Sequence, residues 1–319
     1  MLIDGSDLVG CGNLALQLYK WNARFVRGNK VMLNMKHFLQ EHGSIHRTSS
    51  FRNPRVAIME NTPSPLKTHI LIIPGAWYPA SNLDTFVGSL EAAGYSAEAF
   101  SLPSLNTAGI SVQDDEEKAK ALLASLISNG KDVIIVAHSY GGLVASGVIA
   151  SPGLDTRARA VQGSKGGVVG IVYLAAIIPV QDEGILQLVG RKWLEYIDDT
   201  KAETEGLLYT FNPTETFYHD CSAELASSVT ETLMPHSELA LKTAPSAVGW
   251  KDQAYDGRRA YIRCLQDKAL PLGIQEHLVA RSEVEWVVKS LDSSHSPFLS
   301  MPGELTRVLE EIVEEFAKS

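Results

Sequence analysis

Ala137-His138-Ser139-Tyr140-Gly141-Gly142 carries a small-x-Ser-x-Gly pattern whose surroundings give it chemical meaning. An apolar run, Asp132 to Val136, precedes it, and a helix-like run, Leu143 to Ala150, follows it. Strand, sharp turn and helix in this order make a nucleophile elbow, in which a serine sits on strained backbone with its hydroxyl exposed. Small residues two before and two after the serine avoid a clash, and Ala137 and Gly141 occupy those places. Glycine is usual at the first of them, so Ala137 is a mild departure. The alternative reading of Ser139 is an ordinary polar turn after a strand.

A serine hydroxyl is a weak nucleophile at neutral pH. It needs a base, and the base needs an orienting acid. On sheets with this elbow the chain order is Ser, then Asp or Glu, then His. The chain has nine histidines, and position selects His295, which follows the apolar run Val284–Val288 through the loop 290–294 and precedes Pro297. His236 and His277 read as surface or cap residues, with His236 able to line a pocket. His138 neighbours the nucleophile but points across the strand, which suits packing. For the acid, Tyr261–Leu265 reads as the penultimate strand and Asp267 follows it directly. Asp182, after the preceding strand, competes for that role. Two amides should hold a developing oxyanion. The Tyr140 N–H, at the start of the elbow helix, is one candidate. The Ala76 N–H, in the loop Ile73-Pro74-Gly75-Ala76-Trp77, is the other. Gly75 and Trp77 are candidate substrate contacts: Gly75 would let backbone approach closely, and Trp77 would line the pocket or join the core.

The elements that must position these groups alternate from His69 onward. Apolar runs at Ile70–Ile73, Ala97–Leu102, Val133–Ala137, Val168–Ala175, Ala260–Leu265 and Val284–Val288 predict six strands. Helical patterns follow at Ser81–Ala93, Val112–Ser128, Gly141–Ile149, Pro271–Ala280 and Pro302–Ala317. In the last, Leu305, Val308, Leu309, Ile312 and Phe316 share one face. Alternating β and α implies an α/β fold: a mainly parallel six-stranded sheet with helices on both faces. Between Ile178 and Trp250 the alternation stops. Gly190–Tyr196, Glu224–Leu233 and Leu239–Leu241 look helical and no strong strand is evident. This insertion, at about 181–250, is read as a cap over the carboxyl ends of the strands. Its Leu186, Leu188, Trp193 and Leu194 are apolar, and Trp193 is a candidate substrate contact.

The length of 319 residues suits one large α/β domain with an inserted cap. Hydrophobic content of 45% and charged content of 20% fit a globular protein with a full core. A net charge of −9 argues against nucleic acid as partner. Cys11, Cys221 and Cys264 are scattered and odd in number, with neither a disulfide framework nor metal-ligand spacing, so a reducing, cytoplasmic compartment is the simpler expectation. The N-terminus lacks a signal-peptide pattern, and the apolar run Gly166 to Val180 is too short to span a bilayer. Gly163, Gly166, Gly167 and Gly170 enter a strand, so they form no dinucleotide fingerprint. Residues 1 to about 66 are basic where the rest is acidic, and residues 1–58 are read as an N-terminal extension. A packed accessory helix, a targeting segment and a translated extension compete there, and a dispensable extension with the core starting near Met59 is favoured.

From about Thr68 to the end, the chain resembles the α/β-hydrolase superfamily, and within it the branch of plant methylesterases, hydroxynitrile lyases, methylketone synthases and microbial relatives. Pro74-Gly75-Ala76-Trp77, the Ser139 elbow, Asp267-Lys268-Ala269-Leu270-Pro271 and His295-Ser296-Pro297-Phe298 carry the resemblance. Members place acid and base about as far apart as the 28 positions found here, and their chemistry needs no cofactor or metal. Plant members usually have His-Gly where this chain has Pro74-Gly75. Hydroxynitrile lyases carry Thr at Gly75 and Lys at Ser296, so both positions match the esterase side. The resemblance implies a serine hydrolase cleaving a carboxylic ester, lactone or thioester of a small apolar molecule through an acyl-enzyme. C–C bond hydrolysis or a lyase step on the same triad, and a non-hydrolytic small-molecule binding protein on the same fold, are the alternatives. Homodimer formation stays open.

Overall fold

The computed structural model describes Thr68–Ser319. The expectations for residues 1–58 and for a core start at Met59 lie outside these residues. The described chain runs β1 (His69–Ile73), α1 (Asp84–Ala92), β2 (Ser96–Ala99), α2 (Val112–Ser128), β3 (Asp132–His138), α3 (Gly141–Ile149), α4 (Thr156–Val161) and β4 (Gly167–Leu174). An insertion of short elements follows: α5 (Ile185–Leu188), β5 (Ile197–Asp198), α6 (Ala202–Glu205), β6 (Leu207–Thr210), α7 (Pro213–Phe217), α8 (Ala223–Thr232), β7 (His236–Ser237) and α9 (Glu238–Lys242). The chain then returns with β8 (Arg259–Cys264), α10 (Leu272–Arg281), β9 (Val287–Leu291), α11 (Pro297–Ser300) and α12 (Pro302–Phe316).

The main sheet has six strands in the order β2-β1-β3-β4-β8-β9, and every neighbouring pair is parallel. This is the α/β-hydrolase fold that the sequence implied. Its central strands are runs of Val and Ile because helices cover both faces. Every residue of β1 is buried, as is all of β3 after Asp132. Local signals set the helices. Ser111 caps α2 in a reciprocal box: its N–H donates to Asp114 Oδ2 (2.8 Å) and its hydroxyl accepts from the Asp114 N–H (3.4 Å). In α12, Leu305, Val308, Leu309, Ile312 and Phe316 are all buried, the face that the helical spacing predicts.

Three expectations need correction. Gly190–Tyr196 is a set of turns and not a helix. Gly190 (φ 77°) and Arg191 (φ 65°) adopt consecutive left-handed conformations, through which a right-handed helix does not pass. The insertion also contains a three-stranded antiparallel sheet, β5-β6-β7. Its strands span two to four residues, too few for alternation to register in a sequence. Finally, the last strand is Val287–Leu291 and not Val284–Val288. Pairing of Ala260 with Val287 through Cys264 with Leu291 fixes it. Trp286 draws the apolar signal upstream: its ring packs against Tyr173, Trp250 and Tyr261, and its N–H donates to Ser282 Oγ. Among the described residues, no helix is long and apolar enough to cross a membrane.

Candidate active site

At the end of β3 the chain turns through Ser139, whose φ of 53° lies in the left-handed region. For a residue with a side chain this costs on the order of 1–3 kcal/mol and persists only where the surroundings hold it. They do so here. Ser139 N–H donates to the Leu174 carbonyl (3.3 Å), and its carbonyl accepts from Gly142 N–H and Ile177 N–H (3.0 Å each). A Cβ on Gly141 would stand 2.5 Å from the Ile73 carbonyl oxygen, so the helix after the serine packs this closely on β1 only through glycine.

β8 and β9 deliver the other two polar groups. Past β8, Gln266 N–H donates to the Ser293 carbonyl (3.0 Å), which joins the two loops. Asp267 Oδ1 accepts the N–H groups of Ala269 and Leu270 (2.8 Å each), and Oδ2 lies 2.6 Å from His295 Nδ1. Gln275 Nε2 is a more distant donor at 3.5 Å. Asp267 and His295 are both buried. The two backbone N–H groups and Gln275 are donors, and a carboxylate in this place pairs with the His295 tautomer that carries its proton on Nδ1. Asp182, the competing acid, is exposed with a φ of 61°, and its Oδ1 accepts from the side chain of the adjacent Gln181 (3.1 Å).

Ser139, Tyr140, Ala76, Trp77 and His295 line one cavity of about 580 Å³. The insertion supplies Ile185, Leu188, Val189, Leu194, Tyr196, Ile197 and Leu241 to its walls, and α10 adds Ile274 and His277. Its charged residues, Glu183 and Arg281, neutralise each other through a two-pronged ion pair (2.9 and 2.5 Å). Arg281 also donates to the Ile178 carbonyl (2.8 Å). The cavity therefore has the size of a drug-like molecule and an uncharged, apolar lining.

A model of the α/β-hydrolase family matches residues 70–308. The chain belongs to the α/β-hydrolase family. It is 29% identical over 259 residues to Probable hydrolase R7 of a Phoma species, covering 77% of this chain and 98% of that relative. Methylesterase 7 of Arabidopsis thaliana is 28% identical over 254 residues, covering 72% and 89%. Among solved structures, a pyrethroid hydrolase from Sphingobium faniae JZ-2 superimposes with a TM-score of 0.54 at 22% identity, covering 79% and 99%. Tomato Methylketone Synthase I gives 0.61 at 17% identity, covering 79% and 99%. This α/β hydrolase is thus similar to methylesterases and other esterase-like relatives.

Two expected pocket residues of the α/β hydrolase are elsewhere. Trp193 is not on the cavity wall; the turn at Gly190-Arg191 carries it half-buried onto the core. Gly75 is also absent from the wall. It lies behind the elbow, where a Cβ would come 2.9 Å from His138 Nδ1 and 3.0 Å from Ser139 Cβ. Leu186 is likewise off the wall, whereas Leu188 and Leu194 are on it. Trp77 both lines the cavity and packs on Phe217 and Tyr196. His236 is fully buried and does not line the cavity, while the exposed His277 does. Tyr196 also lines the wall; its stretch looks helical in the sequence but is a set of turns, and this directs its ring to the cavity.

His138 does more than pack. Its ring lies 4.6 Å from that of His295 and 5.0 Å from that of Phe298. Its Nε2 donates to the backbone carbonyl of His295 (2.9 Å). Burial, reinforced by the neighbouring His295, holds its pKa well below the ordinary histidine value, so its imidazole is neutral. No cluster of three His, Cys, Asp or Glu side chains suited to a metal ion occurs among the described residues.

Proposed function

We propose that this α/β hydrolase is a serine esterase acting on a carboxylic ester, lactone or thioester of a small, uncharged, apolar molecule. One observation carries the reading: Ser139, on a left-handed turn, faces the same cavity as His295, whose Nδ1 is bound to Asp267 at 2.6 Å. Ser139 Oγ adds to the substrate carbonyl carbon while its proton passes to His295 Nε2. The carbonyl π pair moves onto oxygen, where the Ala76 and Tyr140 N–H groups receive it. Asp267, placed against Nδ1, orients the ring and stabilises the imidazolium. The intermediate collapses, and the leaving alkoxide or thiolate takes the proton from His295. Water then gives a proton to His295 and adds to the acyl-enzyme, and collapse returns the proton to Ser139 and releases the acid.

The insertion acts in this reading as the cap that shapes the acyl and alcohol sites. Residues 1–58 are proposed to be dispensable, so a chain beginning at Met59 should fold and keep most activity. The scattered and odd-numbered cysteines of the sequence support a reducing, cytoplasmic setting. The decisive experiment is Ser139→Ala. Loss of a triad nucleophile typically costs on the order of 10⁶ in kcat, and a fluorophosphonate should label the native protein at Ser139 alone. Undiminished hydrolysis of neutral aryl esters by the folded variant would refute the proposal.

A further inference from the structure

Trp77 follows Ala76 in the loop after β1, and its backbone is left-handed, with φ 68°. This is a costly conformation for a bulky residue. The insertion holds it at three points. Trp77 N–H makes a long hydrogen bond to Nδ1 of His236 (3.5 Å), its carbonyl accepts from Met234 N–H (3.1 Å), and its indole N–H donates to the Leu208 carbonyl (3.0 Å).

The contact with His236 begins a buried chain. His236 Nε2 lies 3.1 Å from Ser104 Oγ. Ser104 donates its hydroxyl to Asp115 Oδ2 (2.6 Å) and its N–H to Oδ1 (2.9 Å). The Tyr140 hydroxyl donates to the same Oδ2 (2.6 Å). Its ring also meets that of His236 at 4.9 Å, edge to face. His236, Ser104, Asp115 and Tyr140 are all buried to within 1% of complete exclusion from solvent. Each link has one donor and one acceptor if the imidazole is neutral, accepting at Nδ1 and donating at Nε2, and Asp115 is ionised. Burial alone pushes His236 down to about 3, which keeps that tautomer neutral. Backbone bonds brace the chain on either side: Ser237 N–H to the Ser104 carbonyl (2.8 Å) and Asn106 N–H to the Pro235 carbonyl (2.7 Å).

A carboxylate buried among neutral donors is a poor way to gain stability, since apolar side chains of the same volume would serve better. The placement of this one has a functional correlate. The chain starts at the amide next to Ala76 and ends on the side chain of Tyr140. Those are the two residues whose N–H groups are proposed to hold the oxyanion. We infer that His236 is a positioning residue: through Ser104 and Asp115 it ties the strained backbone at Trp77 to Tyr140 and so fixes the two oxyanion donors relative to each other. The inference rests on the reading of Ala76 and Tyr140 as those donors. It makes the oxyanion site a joint product of the sheet and the insertion, because β7 supplies the link. Donors aimed at a developing charge act only within a few tenths of an ångström, so their support matters as much as their presence.

The test uses three variants of the full chain. His236→Phe keeps a buried ring and removes both hydrogen bonds. Tyr140→Phe keeps the backbone donor and removes the far end of the chain. His236→Gln can again donate to Ser104. Turnover of a neutral p-nitrophenyl ester and the rate of Ser139 phosphonylation by a fluorophosphonate are both read, with the thermal midpoint as control. Expected for His236→Phe and Tyr140→Phe is a fall in kcat of about 10- to 100-fold, less than the ~10²–10³ for outright loss of a donor. KM should stay within about two-fold, phosphonylation should slow in parallel, and His236→Gln should recover part of the loss. Native kcat and phosphonylation rates in folded His236→Phe or Tyr140→Phe protein overturn the inference, as does a loss confined to KM. If His236→Phe does not fold, the same two rates measured on Tyr140→Phe decide the matter. A native protein that phosphonylates at Ser139 but turns over no ester removes the proposed function alone, and the phosphonylation rates still decide this inference. A native protein that does not react at Ser139 removes both.

Discussion

His138 Nε2 donates a 2.9 Å hydrogen bond to the main-chain carbonyl of His295, so the residue before the proposed nucleophile holds the loop that carries the proposed base. A sheet strand and a loop 157 residues further along the chain are thereby joined at the point of chemistry. Loss of His138 should act on both stability and rate. His138→Ala leaves the His295 carbonyl unpaired in a buried site and opens a void, at a cost of roughly 2–4 kcal/mol. The freed loop should lower kcat about 10-fold, and His138→Gln, which keeps a donor, should lose less of each. Chemical denaturation and steady-state kinetics on the same samples check both. A His138→Ala protein with native kcat would leave this contact a purely structural one.

The acid is tested by two conservative substitutions. Asp267 receives His295 Nδ1 at 2.6 Å, whereas Asp182 is exposed and bonds its neighbour. Replacing a triad Asp by Asn strands the imidazole in the wrong tautomer at a cost of roughly 10⁴ in kcat. Asp267→Asn should show a loss of that order and Asp182→Asn less than about three-fold. The reverse order would move the orienting role to Asp182.

Why are Ser139, Asp267 and His295 legible in the sequence while Tyr196 and His236 are not? Each of the first three directly follows, or nearly follows, a strand of the main sheet, and a parallel sheet brings all its carboxyl ends to one edge. The four inner strands β1, β3, β4 and β8 are visible because burial on both faces leaves dense apolar runs, whereas the half-exposed edge strands β2 and β9 carry a weaker signal, and the apolar Trp286 shifts that of β9 upstream. His236 sits in a two-residue strand, and its side-chain partners Ser104 and Trp77 lie 132 and 159 positions away. Nothing local encodes such contacts. Trp193 misleads because an apolar residue in an insertion suits a pocket wall and a core contact equally well. The left-handed pair Gly190-Arg191 decides between them.

The Glu183–Arg281 pair makes a prediction about substrate charge. Both residues line the cavity, and their charges are paired with each other. An anionic substrate would find no unpaired cation among the residues of this wall and would lose its hydration on entry. Neutral acyl esters should therefore exceed matched esters carrying a second carboxylate by about 10- to 100-fold in kcat/KM. Glu183→Gln frees the guanidinium charge and should narrow that gap, mainly through KM for the anionic ester. Selectivity unchanged by this substitution would mean that the pair does not face the substrate.

The buried histidines predict how stability responds to acid. Burial lowers the pKa of His138 well below its ordinary value and that of His236 to about 3. In the unfolded chain both take up protons near the ordinary value of about 6.5. Below that pH the unfolded state binds more protons than the native state, so stability rises with pH from the folded pKa up to about 6.5 and is lost as pH falls. For His236 the window runs from about 3 to about 6.5. Asp115 works in the opposite sense: burial raises its carboxyl above the usual range, so as pH falls the native state takes up that proton before the unfolded chain does. A comparison that removes one histidine at a time separates these contributions. Between pH 6 and pH 5 each neutral buried histidine contributes a slope approaching about 1.4 kcal/mol per pH unit. The unfolding free energy of the native protein should therefore fall across that interval more steeply than that of His236→Phe, by up to one histidine's share. Urea titrations of the two proteins at pH 5, 6 and 7 read this difference directly. Parallel pH profiles would show that His236 takes up its proton in the folded state, which would break the donor chain from Trp77 to Tyr140.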